Sequence, residues 1–123
     1  MDIEGSEYEV LSDTPSEILK KFRIVVIEFH NLVNLFDNFS SKIIKEVFNK
    51  LLIDFYVVHI HPNNCCRVHE YKKIKIPELL EFTFIRKDRV SSIDFVNNLP
   101  NNLDQKNILS HKDIILDKIW FGE

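Results

Sequence analysis

The side chains able to do chemistry in this 123-residue chain gather in a few short stretches. Asp2 and Glu4 lie in Asp2-Ile3-Glu4-Gly5-Ser6-Glu7, a dense set of carboxylates around one of only two glycines. The pattern reads as the end of a strand and a tight turn into a helix. A carboxylate there is either a charge at a helix N-terminus, favoured by ~0.3–1 kcal/mol, or a base that takes a proton from a bound hydroxyl. Glu28 closes an apolar strand, as a paired structural carboxylate or as a site group, and His30 follows it. His59 and His61 point to one side of their strand by its period of two, and Asn63 and Asn64 follow.

With Cys65, Cys66 and His69, these histidines spell His-x-His-x3-Cys-Cys-x2-His. Imidazole and thiolate are zinc ligands, but the spacing is not one of the recurrent zinc patterns. The reading taken is two strand histidines and two small loop cysteines, with no metal. Adjacent cysteines do not suit disulfide geometry, so no disulfide framework is expected, in keeping with a reducing compartment.

Elements must position these groups. Ser6-Glu7-Tyr8-Glu9 has the form of a capping box opening a helix from Glu7 to Leu11. Thr14-Pro15-Ser16-Glu17 repeats that form, with Pro at the first helical position, and predicts a second helix to about Lys21. Residues 23–29 are a near-continuous β-branched run without alternation, which predicts a parallel strand buried on both faces. Ile43, Ile44, Val47, Phe48, Leu51 and Leu52 recur at helical spacing opposite a lysine-rich face, which predicts an amphipathic helix on a sheet. Residues 55–61 form the next strand, 62–73 a loop, and 79–86 a late strand that alternates as an antiparallel member does. Phe22, Phe29, Phe36, Phe48, Phe55, Phe82 and Phe84 are expected in the core, and the tail from Ser91 reads as loop. For Trp120 and Phe121, docking on the core and docking on a partner both stay open. Strands linked by helices make an α/β layered sheet, in which ligands sit beyond the carboxyl ends of the strands. Asp2, Glu4, Glu28, His30 and residues 59–64 all fall there.

Composition excludes several classes. Sixteen basic against 19 acidic residues give a net charge of -3, mixed along the chain, without the basic footprint of a nucleic-acid binder. No apolar stretch nears the ~20 residues of a membrane span, and residues 1–10 have none of the regions of a signal peptide. A single domain over residues 1–123, cytoplasmic, is expected.

Five segments, DIEGSEYEVL, VVIEFHNL, YVVHIHPNN, PELLEFTFIRKD and LPNNLDQKN, resemble in order and spacing the C-terminal half of FkbM-type methyltransferases, over residues 2 to 109. The resemblance implies the fourth to seventh strands of a Rossmann-like sheet, the last antiparallel, with flanking helices. It implies an O-methyltransferase that uses S-adenosylmethionine on a small-molecule or sugar hydroxyl. Carried over, Asp2 and Glu4 become cofactor- and acceptor-proximal carboxylates, His61 joins them as a catalytic group, and Asn63, Asn64 and His30 shape the acceptor pocket. Pro62 stands where a glycine is common. The family's Gly-rich cofactor loop has no counterpart in a chain whose glycines are Gly5 and Gly122. Met1 is therefore expected where longer relatives have an internal residue of the fourth strand, in a truncated, split or frameshifted form that is inactive alone. The open sheet edge this leaves predicts self-association or a separate N-terminal half as partner. The other readings are a non-enzymatic module that pairs through that edge and a small His/Cys metal-binding domain.

Overall fold

In a computed structural model, residues 1–121 form a mixed α/β fold with a small antiparallel sheet and flanking helices. Helix α1 spans Glu7–Asp13, α2 Ser16–Leu19 and α3 Ser40–Asp54. Strand β1 spans Ile24–His30, β2 Phe55–Pro62, β3 Val68–Tyr71, β4 Ile74–Pro77 and β5 Leu79–Arg86. The main sheet has the order β1-β5-β2, and β3 and β4 form a separate two-stranded ladder.

The expected parallel sheet is not what forms. Both ladders of the main sheet are antiparallel, because β5 enters between β1 and β2, with Ile27 opposite Phe82 and Ile60 opposite the same residue. The two outer strands run in the same direction and α3 carries the chain between them. The expectation that β1 is buried on both faces is corrected too. Ile27 and Phe29 are buried on one face, while Ile24 and Val26 on the other are exposed. The hydrophobic run of β1 therefore marks apolar surface on both sides of the strand but burial on only one.

The core lies between the sheet and α3. Ile44, Val47 and Leu51, at the spacing of one helix face, are buried, Val47 and Leu51 in one cluster with Ile27, Phe29, Phe55, Leu80, Phe82 and Phe84. Phe48 of α3 stands 4.7 Å from Phe29 and 5.1 Å from Phe82, ring centre to ring centre. Phe22, expected in the core, is 52% exposed, and Phe36 stacks on Tyr71 at 4.0 Å, packed only partly against the core. Ile43 and Leu52 flank the buried stripe of α3 and are exposed.

Neither expected capping box forms. Ser6 and Pro15 make no side-chain cap bond, and the Thr14 hydroxyl donates back to Val10 O. The C-terminal carbonyls of α1 are held from outside, by Lys50 Nζ donating to Leu11 O at 2.8 Å and Ser12 O at 2.7 Å. A cation suits that end of a helix. At the start of α3, Asp37 Oδ2 accepts from Phe39 N and Ser40 N. Those bonds hold the Asp37 carboxyl below its usual range.

The stretch expected as loop over 62–73 contains β3, and the β3–β4 hairpin is a missed element. In the tail, Trp120 Nε1 donates to Lys75 O at 2.9 Å, and Trp120 and Phe121 pack on the core, which decides between core and partner for that pair. No helix among the described residues is long and apolar enough to cross a membrane.

Candidate functional site

The segment before α1 is placed by its backbone. The Met1 amino group donates to Val26 O at 2.6 Å and Glu28 N donates to Met1 O at 2.9 Å. The two bonds bracket Ile27, as one residue of a parallel strand does against its neighbour. Residues 1–3 are not otherwise a strand. A turn follows, closed by Ser6 N donating to Ile3 O at 3.3 Å. Its central residues have φ of 57° at Glu4 and 103° at Gly5. Positive φ at both positions is the signature of a type I′ turn, and Gly5 supplies the value that side chains rarely tolerate.

Glu7, fully buried, holds this turn. Its Oε1 accepts from Ile3 N at 3.1 Å and Gly5 N at 3.2 Å. The sequence pattern pointed to Glu9 as the group that reaches back; Glu7 reaches back instead. The cause is the turn, which aims the Ile3 and Gly5 amides at the first residue of the helix rather than at its third.

His30, at the carboxyl end of β1, is the centre of the cluster. Its Nδ1 lies 3.0 Å from Glu7 Oε1, and its Nε2 lies 3.6 Å from Glu4 Oε2 and 3.8 Å from Asp2 Oδ1. The contact to Glu7 is close but not aligned as a hydrogen bond, so His30 Nδ1 is buried without a hydrogen-bond partner among the described residues, as is Glu7 Oε2. Tyr8 OH donates to His30 O at 2.9 Å and ties α1 to the strand end. Burial, with the charge of Glu7 adding to it, pushes the Tyr8 phenol far above its ordinary value, so it stays a donor. Beside His30, Glu28 Oε1 accepts from Asn63 Nδ2 at 2.9 Å. Asn63 Oδ1 in turn accepts from Cys65 N at 3.0 Å, which sets the orientation of its amide.

Of the residues expected beyond the strand ends, Asp2, Glu4, Glu28, His30 and Asn63 come together, and Glu7 joins them. Glu28 was legible as a strand-end carboxylate of undecided role. Glu7 had no signal beyond its place in a capping pattern.

His61 and Asn64 stand apart from the cluster. A β-bulge between Val57 and His59 switches the side to which β2 points. Val57 therefore lies opposite Phe84, whereas His59 and His61 lie opposite Thr83 and Glu81, on the face away from α3. Glu28 is also opposite Glu81, so His61 shares its face but stands two strands away, roughly 10 Å. His61 Nε2 is buried without a hydrogen-bond partner.

Asn64 is 4% exposed and works as a clamp. Its Nδ2 donates to Ile108 O at 2.9 Å, its Oδ1 accepts from Ile108 N at 2.8 Å, and its backbone carbonyl meets His111 Nδ1 at 3.0 Å. His59 Nε2 adds a contact to Asp104 Oδ1 at 2.8 Å. Asn64 and His59 fasten the tail to β2.

The sequence set His-x-His-x3-Cys-Cys-x2-His does not assemble. His59 is engaged with Asp104, and His69 Nε2 faces Glu78 Oε2 at 3.7 Å. Cys65 and Cys66 are joined to each other in a vicinal disulfide, where none was expected. A groove between the hairpin and residues 112–116 is lined by Glu70, Lys75 and Lys112 among others, and by none of the cluster residues.

No protein-family model, no curated protein and no solved structure matches the chain.

Proposed function

We propose that the chain forms the acceptor side of an O-methyltransferase of the FkbM type, its C-terminal part, which acts on a small-molecule or sugar hydroxyl. The observation that carries this reading is the meeting of Asp2, Glu4 and His30 with Glu28 and Asn63 beyond the carboxyl ends of β1 and β2. A late antiparallel strand, β5, and the parallel-type pairing of Met1 on β1 also support it.

The role of each residue follows from its surroundings. Glu7 fixes the turn that presents Asp2 and Glu4, and its carboxylate faces His30. Asp2, Glu4 and His30 offer bases at hydrogen-bond reach of a bound hydroxyl, whose proton must leave as the new C–O bond forms. Asn63 and Glu28 border the same opening. The negative charge suits a cationic methyl donor, S-adenosylmethionine, which supplies the methyl group. The backbone cradle for such a donor is a Gly-rich loop, and a sequence whose glycines are Gly5 and Gly122 does not contain one. The chain alone is therefore expected to be inactive.

Calorimetric titration of the full chain with S-adenosylmethionine tests the reading. The expected result is saturable binding once the chain is joined to a polypeptide that carries the Gly-rich loop, and weak or no binding without it. Saturable binding by the chain alone means that the pocket is built across copies. Failure with every such partner ends the methyltransferase reading.

A second reading has its own observation. On the outer edge of β1, among the described residues, only the Met1 backbone pairs with the strand, and Ile24 and Val26 on it and Phe22 just before it are exposed. Exposed apolar strand edges invite a further strand, so a module that pairs through β1 is the alternative. Light scattering is expected to show a dimer or larger species at micromolar concentration, and Val26→Lys is expected to shift it towards monomer. A monodisperse wild-type monomer removes this reading.

A further inference from the structure

The geometry points to a divalent-cation site formed by Asp2, Glu28 and His30. Each offers one ligand atom, and these atoms lie within 4.8 Å of one another. His30 Nε2 stands 3.8 Å from Asp2 Oδ1 and 3.6 Å from Glu4 Oε2, too far for hydrogen bonds. Donor atoms held ~2.1 Å from a shared cation, at roughly 110–120° to each other, stand ~3.4–3.6 Å apart. The three donor atoms thus stand somewhat wider than ligands around an ion, and shifts of under ~1 Å in each side chain, of which Asp2 is largely exposed, close the difference.

Two further features are those of a metal centre rather than of a surface charge cluster. A ligating histidine commonly turns its other ring nitrogen to a carboxylate, which sets its tautomer and orientation. Glu7, fully buried, stands 3.0 Å from His30 Nδ1, close enough to take that place with a small rotation of the ring although the two are not aligned as a hydrogen bond. Ligating carboxylates are themselves commonly held by hydrogen bonds, and Asn63 Nδ2 holds Glu28 Oε1 at 2.9 Å. His30 is itself buried, and neither of its ring nitrogens makes an aligned hydrogen bond among the described residues. An ion on Nε2 uses that lone pair and draws the Nδ1 proton towards Glu7.

One imidazole with two carboxylates suits a first-row divalent cation such as Mn2+ or Zn2+ more than the all-oxygen cages of Ca2+. Glu4 stands ready as a further donor, and the exposed side of the site leaves room for water or a hydroxyl-bearing ligand. The site is independent of the methyltransferase reading, because cation binding is measured without a methyl donor. It differs from the cysteine-containing set weighed from the sequence, whose two cysteines are joined to each other and whose His59 is engaged with Asp104; here Glu28 and His30 lie two residues apart on β1 and Asp2 comes from the turn before α1.

Titration of the full chain with Mn2+, followed by electron paramagnetic resonance of the free ion, tests the site. One equivalent of saturable binding is expected. Asp2→Asn and Glu28→Gln are each expected to weaken it by about tenfold or more, whereas Asp13→Asn, an exposed carboxylate outside the cluster, leaves it unchanged. Circular dichroism confirms that each variant is folded. Absence of saturable binding in folded wild-type chain overturns the site, and so does binding that Asp2→Asn and Glu28→Gln leave intact or that Asp13→Asn weakens equally.

Discussion

Glu7→Ala is expected to destabilise the chain by about 3 kcal/mol, measured as a shift of the urea unfolding midpoint at constant slope. Glu7 is fully buried and accepts from the amides of Ile3 and Gly5, while its carboxylate faces His30. Hydrogen bonds to a charged acceptor contribute ~1.5–3 kcal/mol each, and amides left without an acceptor add a desolvation cost. Alanine removes both bonds and leaves His30 without its facing carboxylate. Glu7→Gln keeps an oxygen for the two amides, and its expected cost is less than half as large. The same pair of variants separates the role of Glu7 in the turn from any role of bulk alone. An Ala variant within ~0.5 kcal/mol of wild type shows that the turn holds without Glu7 and that Asp2 and Glu4 are placed by other means.

Phe29→Ala is expected to cost ~3–5 kcal/mol, the range for removing a buried aromatic ring. Phe29 is fully buried, with Tyr8 at 5.4 Å, Phe48 at 4.7 Å and Phe82 at 5.5 Å, ring centre to ring centre. Those rings come from α1, α3 and β5, so the cavity opens where three elements meet and none can close it without moving the others. Against a net stability of ~5–15 kcal/mol, such a loss brings the chain close to unfolding at ambient temperature. Phe22→Ala is the contrast: Phe22 is half exposed, and its expected change is within ~0.5 kcal/mol. Equal costs for the two variants, read from urea titrations, contradict the assignment of the core to the α3 side of the sheet.

What the amino-acid sequence alone determined is the set of long elements. The β-branched run predicted over 23–29 is β1 at Ile24–His30, and the alternating run over 79–86 is β5 without a change of boundary. The stripe of Ile44, Val47 and Leu51 marked α3, because helical spacing of apolar residues is a property of the local chain. The gathering of Asp2, Glu4, Glu28, His30 and Asn63 was also legible, since each was expected at or just beyond the end of a strand.

Tertiary structure decided what depends on neighbours. Whether β1 is parallel to its partner rests on β5 entering beside it, and nothing within residues 24–30 encodes that choice. Burial on one face or both depends on what covers the sheet; α3 covers the Phe82 face, and Ile24 and Val26 remain exposed. The bulge in β2 is a change of register against β5, so the turning of His59 and His61 away from the core could not be read from their alternation. The resemblance placed Asn64 in the acceptor pocket, and it is a clamp because Ile108, far along the chain, meets both atoms of its amide. Glu7 gained its place from a left-handed turn at Glu4 and Gly5, which aims two amides at a single carboxylate. Periodicity records the surface each residue offers, but the partner that meets that surface is supplied by distant segments, and there the physical reading of a sequence passes to the folded chain.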